Sequence, residues 1–340
     1  MEIFKAIYDW LVGFFGVEQF FKILTSGNYK SFLTSEGFFS IIRPLFPIVL
    51  ILEIIGALLY KKFKVIDYKI SFFSFVFNSI IGRFIAIAAV VFCIGLFERY
   101  AIIKTSFTWY WFIYSYIVWE FGHFIYHYFG HKVRLFWCLH STHHAPETMN
   151  LSVSYAHFFL EAPYADFIRT TVCILLGVTP EMLFIIMFID GVWGGFIHIG
   201  EGLVKEGRFG FLYKFILTPS HHRVHHAKNP LYLDTNFCNL LNIWDRVFGT
   251  YQTEERAIPV VYGISREMKP NSFVDAYFGE FGALVKDVHR APGIKNKLLY
   301  IFMPPGWSHI GDHKTSKKVR GEYLQQHIQT DVVMSEKAEV

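Results

Sequence analysis

FTWYWFIYSYIVWEFGHFIYHYF, residues 107–129, is an apolar run that begins in aromatic rings and ends in imidazoles. At 1.5 Å per residue a helix of this length spans a hydrocarbon core. Trp109, Tyr110 and Trp111 suit the aromatic belt at one membrane interface, and His123 and His127 sit near the other end. The run therefore predicts a membrane-crossing helix that delivers histidines to one face of the bilayer. The neighbouring sequence extends that expectation in both directions.

The 340 residues are 53% hydrophobic and only 18% charged, less charge than ordinary globular domains carry. The apolar residues are blocked together. "IIRPLFPIVLILEIIGALLY" (41–60) is long enough for a span, and Glu53 within it is expected to face other helices or a polar cavity. "KKFKVIDYK" (61–69) holds four lysines and reads as a cytoplasmic loop. Residues 73–97 form a second span, with "ERYAIIKTS" (98–106) turning on the far side. Residues 167–199 are apolar but broken by "GVTP" (177–180), which predicts a helical hairpin whose first arm is about 10 residues, too short to span.

Residues 1–40 begin with an apolar run interrupted by Lys5, Asp9, Glu18 and Lys22, an interfacial amphipathic segment rather than a cleaved leader. We expect a membrane-embedded catalytic domain over 41–255, a polar cytoplasmic extension over 256–315 and an exposed tail over 316–340. The fold class is all-α: an integral membrane, multi-pass helical bundle with a cytoplasmic cap. The net charge is +4 with no basic cluster, so nucleic acid is set aside as a partner. Four cysteines, Cys93, Cys138, Cys173 and Cys238, show neither a disulfide framework nor zinc-ribbon spacing.

Twelve of the sixteen histidines fall between positions 123 and 226. "HYFGH" spaces His127 and His131 four apart. "HSTHH" places His140, His143 and His144 at i, i+3, i+4, and "HRVHH" repeats this with His222, His225 and His226. Such spacings share one helix face, so each motif can present two or three imidazoles to one point. Counting crossings from the lysine loop puts all three on the cytoplasmic side. Buried imidazoles without partners cost free energy, and a metal supplies the partner. Neutral imidazole suits zinc, copper, iron and nickel. So many nitrogens exceed what a single zinc holds, which implies two metals. No cysteine stands in the clusters, against iron–sulfur and thiolate zinc. An all-nitrogen pair with open positions fits iron; zinc or copper pairs remain open on this ground.

With these boxes the chain resembles the fatty acid hydroxylase / sterol desaturase superfamily, integral membrane diiron oxygenases with the pattern H-x3-H, H-x2-H-H, H-x2-H-H. The resemblance covers roughly 75–255. It implies two Fe ions held by His127, His131, His140, His143, His144, His198, His222, His225 and His226, His198 being the additional histidine expected between boxes two and three. "HSTHHAPETMNLS", "TPSHHRVHHAKNP", "NIWDRVFGTY", "PVVYGI" and "PPGW" are similar to the branch that hydroxylates the ether-linked carbon of glycerol lipids. Two positions depart from that branch: Lys132 stands where a glutamate follows the second box-one histidine, and Glu120 where an aspartate is usual.

The implied activity is O2-dependent hydroxylation of a lipid C–H bond, with no catalytic residue beyond the metal site. Sterol, carotenoid or fatty-acyl hydroxylation, or desaturation, would use the same residues. A metal transporter would instead place histidines and carboxylates at mid-membrane depth. No G-x-G-x-x-G follows a strand pattern, so electrons come from outside, from a reduced pterin or an electron-transfer protein. Metal-bound imidazoles need a partner on the other ring nitrogen. Candidates are Glu120, His123, Glu147, Asn150, Glu201, Asp234, Asn236 and Asp245, with Asp234 and Asn236 the foremost. His221 is expected to hydrogen-bond at the rim of box three, and His157, His289, His309, His313 and His327 to be surface or loop residues.

Overall fold

A computed structural model describes residues 2–14, 17–200 and 209–338. It divides at Phe63/Lys64 into two units. In the first, α1 (Glu2–Phe14), α2 (Val17–Ser26) and α3 (Ser35–Leu59) follow one another, with α2 packed on α3. Helix α3 covers the expected span at 41–60, and Glu53 in it is half-buried.

The second unit opens with α4 (Val65–Phe77) and α5 (Arg83–Phe97), which run on through a π-helical turn at Asn78–Gly82. The lysine loop is thus shorter than expected, because Val65 already starts the helix. Asp67, one turn in, is buried and accepts from the Glu147 backbone N–H (3.1 Å) and the Thr148 hydroxyl (2.6 Å). The π turn has a packing cause. Gly82 lies so close to the Phe159 carbonyl that a Cβ would come within 2.8 Å of it, and Asn78 donates to the His157 carbonyl at 3.0 Å.

Helix α6 (Trp109–Lys132) carries the opening stretch, and Val133 breaks it from α7 (Arg134–His144) with extended dihedrals. The hairpin at 177–180 forms between α8 (Glu161–Leu175) and α9 (Pro180–Phe196). Its first arm has 15 residues, longer than the reading of about 10, because the helix already begins in the polar "EAPYAD". Thr179 caps α9 and Pro180 occupies its first turn. Short helices α10 (Pro219–His225) and α11 (Ile243–Val247) lead to α12 (Phe273–Arg290) and α13 (Gly293–Phe302). Residues 316–340, expected as an exposed tail, carry α14 (Ser316–Ala338), which packs on the Pro230–Tyr232 turn. Among the described residues there are no strands beyond two isolated bridges, Ile216 with Leu241 and Ala227 with Tyr262.

Helices α5, α6 and α8 form the central layer, with Trp119, Cys173, Met182, Leu183 and Ile186 at the core where α6 meets the hairpin. On the other side of box two, α12 covers α7: Cys138 packs with Leu284, Ala291 and Tyr300. Among the described residues one helix, Val65–Tyr100, is long and apolar enough to cross a membrane, and only 22% of its apolar window is buried. Within α3 the described apolar stretch is Ile48–Leu59, and α6 falls short of that measure. In α6 the reason is the tyrosine, histidine and glutamate content of an otherwise aromatic run.

Candidate metal centre

Helix α6 brings His127 and His131 to one point because four residues make about one turn. Helix α7 does the same for His140 and His144, and α10, ending at His225 and continuing to His226, for box three. Thr218 fixes the start of α10: its hydroxyl sits 3.0 Å from His221 Nδ1, and that nitrogen also accepts the Thr218 backbone N–H at 3.2 Å. His221 Nε2 reaches Tyr251 Oη at 2.8 Å, so this histidine is fully buried yet belongs to the capping of the helix.

The eight box histidines and His198 form two buried groups. His127, His131, His140, His144 and His225 make one; His143, His198, His222 and His226 make the other. Within each, one nitrogen per ring lies within 4.8 Å of all the others. His140 Nε2 is 3.0 Å from His127 Nε2 and from His144 Nε2. In the second group His222 Nε2 is 2.9 Å from His198 Nε2 and 3.0 Å from His226 Nε2, and His198 Nε2 is 3.3 Å from His143 Nε2. The i, i+3, i+4 boxes are thereby split between groups: His143 leaves His140 and His144, and His225 leaves His222 and His226.

The opposite ring nitrogens are held from outside. His140 Nδ1 lies 2.6 Å from Glu161 Oε1, His127 Nδ1 donates to the Phe237 carbonyl (2.9 Å), His225 Nδ1 to the Thr235 carbonyl (2.8 Å) and His198 Nδ1 to the Gly194 carbonyl (2.6 Å). Asp234 Oδ1 is 3.4 Å from His131 Nδ1, and Lys132 holds its other oxygen. A proton fixed on Nδ1 leaves the Nε2 lone pair free to point inward.

Asp234 and Asn236 take left-handed conformations, φ 57° and 58°, which turn the carbonyls of the residues that follow each, Thr235 and Phe237, toward box histidines. Asn236 is pinned by its side-chain amide to the His221 and Gln252 carbonyls at 3.0 and 2.7 Å, and it touches no ring. Asp245 accepts from the Phe237 and Cys238 backbone N–H groups (2.7 and 2.9 Å). Glu120 accepts from those of Asn239, Leu240 and Leu241 (3.0, 2.7 and 2.9 Å). Both carboxylates therefore hold the loop rather than an imidazole. His123 lies outside both groups, 3.7 Å from Asp190. Asn150 caps its own turn by accepting from the Ser152 backbone N–H, and Glu147 pairs with Lys64 at 2.7 Å. Glu201 lies outside the described residues.

Glu161 is the partner that sequence reasoning missed. Its second oxygen is 2.8 Å from His157 Nδ1, and the His157 ring stacks on His143 at 4.2 Å between centroids. His157 is thus not a simple loop residue: its ring is part of the packing around the second group. The signal was available, since His157 and Glu161 stand four apart.

Burial keeps most of these rings neutral. Burial, reinforced by the neighbouring imidazoles, holds His131, His143, His144, His222 and His226 far below the usual histidine range, and His225 falls to about 3. All are deprotonated at pH 7, the state that binds a metal. Burial alone would raise Glu161, but His157 and His140 bring it down to about 2, so it stays anionic.

Residues 112–250 match the family model of the fatty acid hydroxylases. An alkylglycerol monooxygenase from Danio rerio is 30% identical over 207 residues, 60% of this chain and 45% of the relative. The Homo sapiens alkylglycerol monooxygenase is 30% identical over 55% of this chain and 40% of its own. An ornithine lipid hydroxylase from Rhizobium tropici is 28% identical over 44% of each. The matched region spans less than half the length of these curated relatives. No solved structure gives a significant match.

Proposed function

We propose that this chain, which carries a fatty acid hydroxylase domain over 112–250, is a membrane-bound, metal-dependent oxygenase that hydroxylates a C–H bond of a lipid, a glycerol ether lipid foremost. The observation that carries this reading is the pair of buried histidine groups. Their chemistry fits two metal ions. The inward His131 Nε2 and His225 Nε2 are buried without a protein partner, and the remaining inward nitrogens face one another although a neutral imidazole has one N–H to offer. We assign iron to both groups, since zinc has no redox chemistry to offer and cysteine contributes nothing here.

Two irons bound there would supply the activation of O2. The chain's own part is to orient and to exclude water. Glu161, Asp234 and the Gly194, Thr235 and Phe237 carbonyls fix ring tautomers, so each Nε2 presents its lone pair without reorganising. Burial of all nine rings limits the access of water to the centre. The apolar, exposed flanks of α5 and of the hairpin, with Phe84, Ile87, Val91, Phe167 and Phe184, support a lipid-facing surface and a multi-pass topology. We place the histidine groups on the cytoplasmic side and draw electrons from an external donor, a reduced pterin or an electron-transfer protein.

The test uses detergent-purified full chain, wild type beside His143→Ala and His225→Ala, one from each group. We expect about two irons per chain in the wild type, one per histidine group, and a sharp loss in both variants. Reduced wild type should then place 18O from 18O2 into an alkylglycerol. Zinc alone, or no metal in folded protein, would sink the oxygenase.

A further inference from the structure

A cavity of about 410 Å³ opens onto the five-histidine group and not onto the other: His131, His144 and His225 stand in its wall, and none of the four remaining-group rings does. Two of these three rings, His131 and His225, are the ones whose Nε2 is buried without a partner. That volume lies in the range of small-molecule sites, about 300–1,000 Å³. Part of the wall is apolar, with Trp137, Leu233 and Ile264.

The charges of this wall are unbalanced in a specific way. Arg134 is neutralised by Asp287 at 2.7 Å, and Arg266 by Asp275 and Glu280, each at 2.9 Å. Asp234 is taken by Lys132. Lys228 and Lys314, both exposed, also line the cavity, and neither ammonium forms an ion pair among the described residues. Glu147 lies close enough to Lys228 to feel its charge, but Lys64 already holds that carboxylate at 2.7 Å. In the cavity wall itself Asp234 and Glu280 are committed to Lys132 and Arg266, whereas the two lysines form no ion pair; Asp312, outside the wall and hydrogen-bonded to Ser308, is the acid that Lys314 acts on.

We propose that this cavity binds the phosphate-bearing head of an ether lipid, with Lys228 and Lys314 as the specificity-determining pair. The carbon chain begins beside Trp137 and the five-histidine group receives the reacting C–H bond. The proposal deepens the oxygenase reading and rests on it for the chemistry. The binding step stands on the cavity alone. Two ammonium groups match a phosphate as point charges, and their exposure lets the head remain partly hydrated. A neutral glycerol head would leave both lysines unanswered and lose this attraction.

The experiment measures equilibrium binding to the detergent-purified full chain by calorimetry, with three probes: 1-O-octylglycerol 3-phosphate, 1-O-octylglycerol and inorganic phosphate. We expect the ether phosphate to bind at least tenfold more tightly than either other probe. Lys228→Ala/Lys314→Ala should erase that preference and leave octylglycerol binding and the thermal midpoint as in the wild type. Lys297→Ala, on α13 away from the cavity wall, is the control and should bind as wild type does. Equal binding of neutral and phosphorylated ether overturns the proposal, as does an unchanged preference in the double variant. Inorganic phosphate binding as tightly as the ether phosphate overturns the lipid source. The readout needs no turnover, so a protein that binds selectively but oxidises nothing would count against the oxygenase and not against this site.

Discussion

The residue that most changes the reading of the centre is Glu161. One buried carboxylate serves two imidazoles, His140 at 2.6 Å and His157 at 2.8 Å. It touches no inward nitrogen, so it is a positioning residue, and its removal leaves His140 free to rotate or to change tautomer. Losing such a partner typically costs about 10–100-fold in metal affinity. If the five-histidine group holds a metal as proposed, Glu161→Ala should release it when dialysed against a chelator that leaves the wild type loaded. Glu161→Asp, which keeps the charge, should restore part of the retention. Full retention in the alanine variant would show that ring orientation is set elsewhere. The sequence displayed the histidines openly, because imidazoles at i, i+3, i+4 on otherwise apolar helices have few other uses. It hid the partners, because three of the five ring acceptors are backbone carbonyls with no side-chain signature.

Among elements, the hairpin of α8 and α9 is the one whose turn is fixed by a single atom's absence. Gly177 has φ +83°, and a Cβ there would collide with the Ile103 carbonyl, which belongs to the segment entering α6. That segment is tied to the turn by Ile102 donating to the Leu175 carbonyl at 2.8 Å and by the Thr105 hydroxyl to the Gly177 carbonyl. Gly177→Ala should destabilise the fold by about 1–3 kcal/mol from backbone strain, with the collision in addition. The observable is an earlier thermal midpoint in detergent; an unchanged midpoint would mean the turn yields without cost. Element positions were legible where a breaker stood, at "GVTP" and at Val133. They were less legible where polarity and helicity disagreed: Asp67 and Glu161 sit inside helices that the apolar pattern alone starts later. The loop 234–241 could not be foreseen either. Its shape depends on Glu120 and Asp245, distant or buried acids that bind backbone and leave no periodic trace.

For the whole molecule the question is what the apolar exterior meets. Val90 and Val91 stand side by side on α5, the first buried and the second 61% exposed, next to the exposed rings of Phe84 and Phe92. If that flank faces lipid, Val91→Arg places a charge in hydrocarbon at a cost of about 2.5–3.5 kcal/mol. The variant should show a reduced carbonate-resistant membrane fraction, while wild type stays with the membrane through the wash. Release of the wild type by carbonate would sink the integral assignment. The sequence made the blocks of apolar residues plain. Composition alone could not say how many of them cross, since aromatic helices such as α6 serve equally well as protein interior.

The bridge formed by Glu161 has one more consequence. Through His140 it touches the five-histidine group, and through His157, stacked on His143, it touches the other. An ion held by either group would fix its rings and, with them, this shared carboxylate, so part of the ordering of the second group would be done before its own ion arrived. The two positions should consequently fill in concert, and a half-loaded protein should be a minor species at any iron concentration.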